Sequence, residues 1–401
     1  MRRPLCNIWN KGEKMRNKLA MIGHSYHLKT KSNDFFMNLL NKYFDIEYII
    51  DESWKSTKKP KLGHLGETYS AVIFWQMISH DYLKAIKCKN IIFIPMFDQS
   101  GSAPRSYWYH YRDLKIISFC KTMGNMLAGL GFDVLNAKYY PEPAQVNNEE
   151  RPNSCFFWQR INTIDWPKVK ILLRKSGVKT VHIHKAIDPG HKFTKPSAND
   201  EKKYNITYSD WFPDRASYLK VVDENQIYIA PRFQEGIGLS FLEAMARGKI
   251  VVAADQPTMN EYIIDGYNGY LFDPYNVKAI DFSNINSIKK NSLLSIKNGH
   301  KEWIQSESAI IDFIEKQNKK NFYFRKHPFA RFDNLTLKNI LTTLIKSILP
   351  YGIVRLIWYL KENGRWKRII KETIKVFIPY GIIKLIRYLR SKRTMKNNEE
   401  E

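Results

Sequence analysis

EGIGLSFLEAMARG, Glu235–Gly248, is preceded by ENQIYIAPRFQ and followed by KIVVAADQPTMNEYIIDGYNGYLFDP. Gln226–Ala230 reads as a buried strand, and Lys249–Ala253 reads as another. Between them lie a Gly-Ile-Gly turn and a helix expected over Gly238–Arg247. Strand, glycine loop, helix, strand is the order of a parallel α/β sheet, whose ligands bind beyond the strand ends. The unpaired N–H groups of the helix start form an anion site. Glycines 236 and 238 let backbone approach a phosphate without a Cβ between them. Glu243 lies about five residues into the helix, roughly 7–8 Å along its axis, and its side chain leans back toward the start. Carboxylates repel phosphate but accept hydrogen bonds from sugar hydroxyls. Glu235 and Glu243, eight positions apart, therefore suit a ligand with a diphosphate in its middle and hydroxylated rings at both ends. A nucleotide-sugar is such a ligand.

EGIGLSFLEAMARGKIVVA resembles the E-x7-E segment of the group 1, GT-B-fold retaining glycosyltransferases. TMNEYIIDGYNGYLFDP resembles the stretch that follows it in that family, with Glu261 and the Asn268-Gly269 turn at the matching places. The resemblance implies that Glu235 contacts the donor sugar and Glu243 the donor ribose. Gly236, Ile237, Gly238, Leu239 and Glu261 join them as expected substrate contacts. Strand SCFFW ends at Arg160, where the family places a phosphate-binding arginine, and Glu235 and Arg160 are the expected catalytic pair. The family often adds a lysine one turn later. Here Asp165-Trp166 stands there, so Arg160 acts alone or Lys168 or Lys192 supplies the charge. Family members place donor-base contacts around SDWFPDRASYLKVV, in which no single residue is assigned.

The fold implied is α/β and GT-B-like. Two Rossmann-like doubly wound domains face a cleft, and a basic amphipathic helical tail follows them. The expected map is a disordered leader over 1–17, an acceptor domain over 18–150, a donor domain over 151–317 and the tail over 318–401. Met15 is an alternative start. In the first domain KLAMIG, IEYII, AVIFW, NIIFIPMF and DVLNAKYY read as strands, with helices such as Ser32–Tyr43 and Lys121–Leu130 between them. The loops leaving those strands offer acceptor groups, and His24 and Asp98 are the candidates there. Ala144–Asn153 reads as a linker. HKEWIQSESAIIDFIEKQ, after a polar Asn/Lys/Ser-rich run, reads as a terminal helix that packs back on the first domain.

The 401 residues carry a net charge of +25, which calls for an anionic partner. Residues 319–396 hold 20 Lys and Arg against 3 acids, so these residues carry +17. This segment repeats itself at an offset of 29 residues, 339–360 against 368–389. In each copy the apolar residues after Pro-Tyr-Gly keep helical spacing, Ile353, Leu356, Ile357, Leu360 and then Ile382, Leu385, Ile386, Leu389. Basic amphipathic helices with aromatics suit an anionic membrane surface, and two copies exceed one weak anchor. Lys346, Pro350 and Arg355 interrupt the long apolar stretch, against a spanning helix. The alternative for the tail is docking on protein.

Cys6, Cys88, Cys120 and Cys155 form no CxxC pair, which favours free thiols in a reducing compartment. His182 and His184 share a strand face but lack a third metal ligand nearby in sequence. No Asp-x-Asp occurs, and the resemblance implies a reaction without metal or other cofactor. The leaving diphosphate is then stabilised by a helix N-terminus and basic side chains.

The expected enzyme is a retaining glycosyltransferase. It moves sugar from a nucleotide-diphosphate sugar to a glycan or lipid-linked glycan, in surface polysaccharide synthesis at the cytoplasmic face of the cell membrane. The alternatives are another GT-B enzyme, such as a sugar-nucleotide epimerase, and a non-catalytic nucleic-acid-binding protein. Against the latter, no RNA or DNA motif appears and the tail's basic residues are interleaved with apolar ones, so no nucleic-acid partner is expected.

Overall fold

A computed structural model describes residues 17–318, apart from 56–58, 146–149 and Pro189. The leader and the repeated tail, with its expected membrane contact, lie outside the described residues.

The first lobe runs β1 (Asn17–Gly23), α1 (Ser25–Thr30), α2 (Asp34–Leu40), β2 (Phe44–Ile50), β3 (Tyr69–Trp75), α3 (His80–Ala85), β4 (Ile91–Ile94), α4 (Phe97–Ser100), α5 (Arg105–Tyr109), β5 (Lys115–Ser118), α6 (Lys121–Gly129) and β6 (Asp133–Asn136). Its six strands are all parallel, in the order β2-β1-β3-β4-β5-β6. A parallel sheet covered on both faces needs strands without polar alternation. β4 is Ile-Ile-Phe-Ile, and all four residues are buried. Leu19, Met21, Ile73 and Trp75 pack on one side with Phe36 and Leu40. Ala20, Ile22, Val72 and Phe74 pack on the other with Trp108, Met123 and Leu127.

The second lobe runs β7 (Arg151–Trp158), α7 (Trp166–Leu172), β8 (Thr180–His184), α8 (Ala198–Lys203), β9 (Ile206–Ser209), α9 (Arg215–Asp223), β10 (Asn225–Ile229), α10 (Leu239–Ala246), β11 (Ile250–Ala254), β12 (Tyr270–Phe272) and α11 (Ile285–Glu315). Its strands are also all parallel, in the order β12-β11-β10-β7-β8-β9. Chain direction across the sheet reverses between β7 and β10. In an open α/β sheet the ligand crevice lies at that switch point. The corresponding switch in the first sheet is between β1 and β3.

Several expected boundaries shift. The stretch read as the loop GHSYHLKTKS contains α1, which ends at Lys31 in the left-handed region with φ 54°. The helix expected over Ser32–Tyr43 shortens to α2. The strand expected over DVLNAKYY stops at Asn136, because β5 is only four residues long and pairs no further. The linker expected over Ala144–Asn153 ends at Glu150, whose carboxylate receives Lys249 at 3.0 Å and Lys289 at 2.6 Å. Arg151–Asn153 already belong to β7.

The largest change is at α11. The polar run before HKEWIQ is helical too, so the helix has 31 residues. Its buried face is Ile288, Ser292, Ile296, Gly299, Trp303, Ile310, Ile311 and Ile314, at helical spacing among Lys, Asn and Ser. The expected return to the first lobe is observed. Trp303 lies 5.8 Å from Phe35 and 5.2 Å from Tyr139 between ring centroids. Lys42 pairs with Glu307 at 3.0 Å. At the C-terminus, Asn90 donates to the Ile314 carbonyl at 2.8 Å. Lys115 donates to the carbonyls of Phe313, Ile314 and Lys316. A buried cation thereby caps the negative end of the helix dipole.

Candidate active site

The two lobes present the C-terminal ends of their parallel strands at the site. From the second lobe, Arg160 lies just past β7, Asp188 past β8, and Arg232 and Glu235 past β10. From the first, Asp98 lies past β4 in α4. Arg232 bridges the lobes: one terminal nitrogen donates to Asp98 Oδ2 at 2.9 Å and the other to Asp188. Arg160 Nε donates to the other Asp188 oxygen at 3.0 Å, and its guanidinium carbon sits 5.0 Å from the Trp158 ring centre. Glu235 is buried beside this group.

The electrostatics follow from that crowding. Burial pushes the Glu235 and Asp98 carboxyls above their ordinary range, while Arg232 and Arg160 pull against the rise. Burial opposes the charge on Arg232, but Glu235, Asp98 and Asp188 outweigh it and hold the guanidinium above its usual value. Two cations and three carboxylates thus share one partly dehydrated cluster, in which charge interactions are far stronger than in water.

The glycine turn leads directly from Glu235 into α10, which spans Leu239–Ala246 within the expected Gly238–Arg247. Gly238, with φ 83°, sits where an added Cβ would lie 1.9 Å from Phe241 Cε1. Gly236 has a reason that sequence reading missed. A Cβ there would meet Met96 Sδ of the first lobe at 2.6 Å, so this glycine admits the opposing loop. Ile237 is buried and Leu239 half-buried between the two glycines and the helix.

The other expected site residues stand in separate contacts. Glu243, on α10, accepts from Arg215 at 2.5 Å, and burial pushes its carboxyl up against the pull of Arg215 and Arg247. Arg215 belongs to SDWFPDRASYLKVV, as does Trp211. Trp211 is 52% exposed, with Lys29 of the first lobe 5.2 Å from its ring centre. His24 sits at the first sheet's switch point. Its Nε2 pairs with Gln76 Oε1 at 3.3 Å, and its ring stacks on His27 at 3.8 Å and lies 5.6 Å from Trp54. Glu261 crosses to the first lobe and caps α6, accepting from the backbone N–H of Lys121 at 2.7 Å and of Thr122 at 2.8 Å. His182 and His184 are held by hydroxyls, His182 by Thr207 at 2.9 Å and Ser209 at 2.8 Å, and His184 by Ser209 at 2.9 Å.

The structure therefore gathers Glu235, Arg160 and Asp98 into one cluster and adds Arg232 and Asp188, which sequence reading passed over. The signal was present. Each follows a buried strand by two to four residues, as Arg160 follows β7. The Asp165-Trp166 departure also has a cause. Asp165 caps α7, and Trp166 is buried with its indole N–H on Asp200 at 3.0 Å. Lys168 pairs with Asp165 at 3.5 Å, and Lys192 is exposed.

Residues 200–303, from α8 through the first half of α11, match the family model described as glycosyl transferases group 1. This stretch is a group 1 glycosyltransferase domain. It contains Arg232, Glu235, Glu243 and Glu261, whereas Arg160, Asp188 and Asp98 lie outside the match. A solved glycosyltransferase from Rickettsia africae ESF-5 aligns at TM-score 0.52 and 13% identity, covering 75% of this chain and 99% of that one. Lipopolysaccharide outer core galactosyltransferase WaaB in its apo form aligns at 0.46 and 16%, covering 79% and 100%. Anabaena HepE in complex with UDP and glucose aligns at 0.45 and 12%, covering 73% and 100%. No curated protein sequence matches the chain. The glycosyltransferase fold is GT-B, with two Rossmann-like lobes each carrying a six-stranded parallel sheet. The chain is accordingly a glycosyl-transferring enzyme.

Proposed function

We propose that this glycosyltransferase transfers a sugar, with retention of anomeric configuration, from a nucleotide-diphosphate sugar to a glycan or lipid-linked glycan during surface polysaccharide synthesis. One observation carries the reading. A buried carboxylate, Glu235, and a guanidinium, Arg160, meet at the β7–β10 switch point, directly before the glycine-gated start of α10. The donor diphosphate takes the α10 N–H groups and Arg160, opposite charge placed where charge develops as the bond to the sugar breaks. Glu235 accepts from the donor-sugar hydroxyls. Glu243 accepts from the ribose on exchanging Arg215 for it. Departure of the diphosphate and attack by the acceptor occur on one face of the anomeric carbon. The protein supplies orientation and charge stabilisation, with no enzymic nucleophile and no metal.

The acceptor enters from the first lobe, whose switch point offers His24 beside the exposed ring of Trp54. Membrane association belongs to the basic repeat at 339–393. Among the described residues no helix is long and apolar enough to cross a membrane.

The deciding experiment is calorimetric binding of UDP, GDP, CDP and ADP to the full chain and to Glu243→Ala. Selective binding of one diphosphate, weakened about 10–100-fold in the variant, supports the donor site. No binding of any of the four by folded protein overturns it.

A further inference from the structure

The Asp188 carboxylate is gripped at both oxygens, by Arg160 on Oδ1 and by Arg232 on Oδ2. β7 and β10 are adjacent and parallel, so the two guanidiniums stand side by side beyond neighbouring strand ends. Two planar donor forks aimed at one small anion match the recognition geometry of a phosphate group. Arg232 also leads, through the Glu235–Gly238 turn, into the start of α10, where backbone N–H groups favour the same ligand.

Arg232 is incompletely satisfied. Its Nε is buried with no partner among the described residues, and so is Oδ1 of Asp98. Asp98 contributes a single bond to Arg232 and comes from the opposing lobe. Asp188 is held more firmly. It bonds both guanidiniums, and its backbone N–H donates to the Arg160 carbonyl at 2.9 Å. Of the two carboxylates on Arg232, Asp98 is the one a stronger anion displaces at the cost of one hydrogen bond.

Resting on the donor reading above, we infer that Arg232 is the second cation for the donor diphosphate, that it forms a clamp with Arg160, and that Asp98 competes with the diphosphate for it. Asp98 and Asp188 aim the guanidinium, and the diphosphate takes it from Asp98. This supplies the charge absent at Asp165-Trp166 from a different strand end, and neither Lys168 nor Lys192 is needed for it.

The competition gives effects of opposite sign, which a merely structural salt bridge does not. Calorimetric titration of the full chain with UDP, GDP, CDP and ADP is compared with Asp98→Asn and with the double variant Arg232→Gln/Asp98→Asn. Asp98→Asn is expected to tighten diphosphate binding about 3–10-fold, and the double variant to weaken it about 10–100-fold. The double variant removes the cation together with its cross-lobe carboxylate and leaves Asp188 paired with Arg160, so it retains a folded cluster. Its circular dichroism and melting temperature check this. If Asp98→Asn weakens binding, or the folded double variant binds like wild type, Arg232 is a structural tie and the inference falls while the donor site stands. If wild type binds none of the four diphosphates, the donor reading falls and takes this inference with it.

Discussion

At the residue scale, the two glutamates of one helix-turn segment face different surroundings and should fail differently when removed. Glu235 is buried against two guanidiniums, whereas Glu243 is paired with a single arginine that is itself largely exposed. Glu235→Ala is expected to lower turnover by roughly 10²-fold or more with a smaller effect on diphosphate affinity. Glu243→Ala is expected to lose donor affinity first. Steady-state kinetics beside calorimetry separates the two effects, and full activity in both variants with a proven donor would refute the assignment. Glu261 illustrates a limit of reading by motif. Its place beside the asparagine-glycine turn was legible, but its caps on the Lys121 and Thr122 N–H groups depend on a helix more than a hundred residues earlier, and spacing within one motif carries no trace of such a contact.

At the element scale, α11 holds the lobes together through close packing. An added Cβ at Gly299 would lie 2.4 Å from Tyr140 Cγ. Gly299→Ala is therefore expected to cost about 1–3 kcal/mol through overpacking, even though alanine is the better helix former. Urea denaturation followed by circular dichroism measures it, and an unchanged midpoint would show that Tyr140 moves aside freely.

Strands such as IIFI and IVVAA were legible because buried parallel strands are continuously apolar. The first half of α11 was obscured by Asn, Ser and Lys on its exposed faces, although Ile288, Ser292, Ile296 and Gly299 already carried the helical period. α1 was hidden for another reason. It is only six residues long, and His27 is its one buried side chain. In the site, Glu235, Arg160 and Asp98 were readable from strand ends and motif. Their meeting required the two sheets to face each other, which local sequence does not encode.

At the scale of the whole molecule, buried and half-buried imidazoles make stability depend on pH. Burial lowers His27 to about 3 and His182 and His184 to about 4. In the unfolded chain the same groups take up protons near 6.5. The unfolded state therefore binds more protons between these values, and stability falls as pH drops from 6.5 toward 4. Each imidazole contributes on the order of 1.4 kcal/mol per pH unit to that fall, and the raised Glu235, Asp98 and Glu243 carboxyls offset part of it by taking up protons in the folded state. A melting-temperature series across that range tests it, with His27→Gln flattening the slope. A melting temperature constant from pH 7 to 4.5 would contradict it. Ending the chain at Asn318 removes +14 of the +25 charge, because the three terminal glutamates go with the 20 Lys and Arg, and it removes both repeat copies. It is expected to abolish sedimentation with anionic vesicles while leaving diphosphate binding intact, and unchanged partition would remove the membrane role of the tail.

The return of α11 to the first lobe also has a consequence for synthesis. Translation proceeds from the N-terminus at about 5–20 residues per second. The partners of Trp303 and Ile314, from Phe35 to Tyr139, have left the ribosome once Tyr139 has emerged, but those two residues follow roughly 10–35 s later at such rates. Over that interval Phe35 and Phe119 keep each other and Trp75 but lack the cover of Trp303, and the ammonium of Lys115 has no α11 carbonyls to meet. The nascent first lobe thus completes its surface only when the far end of its own partner lobe arrives.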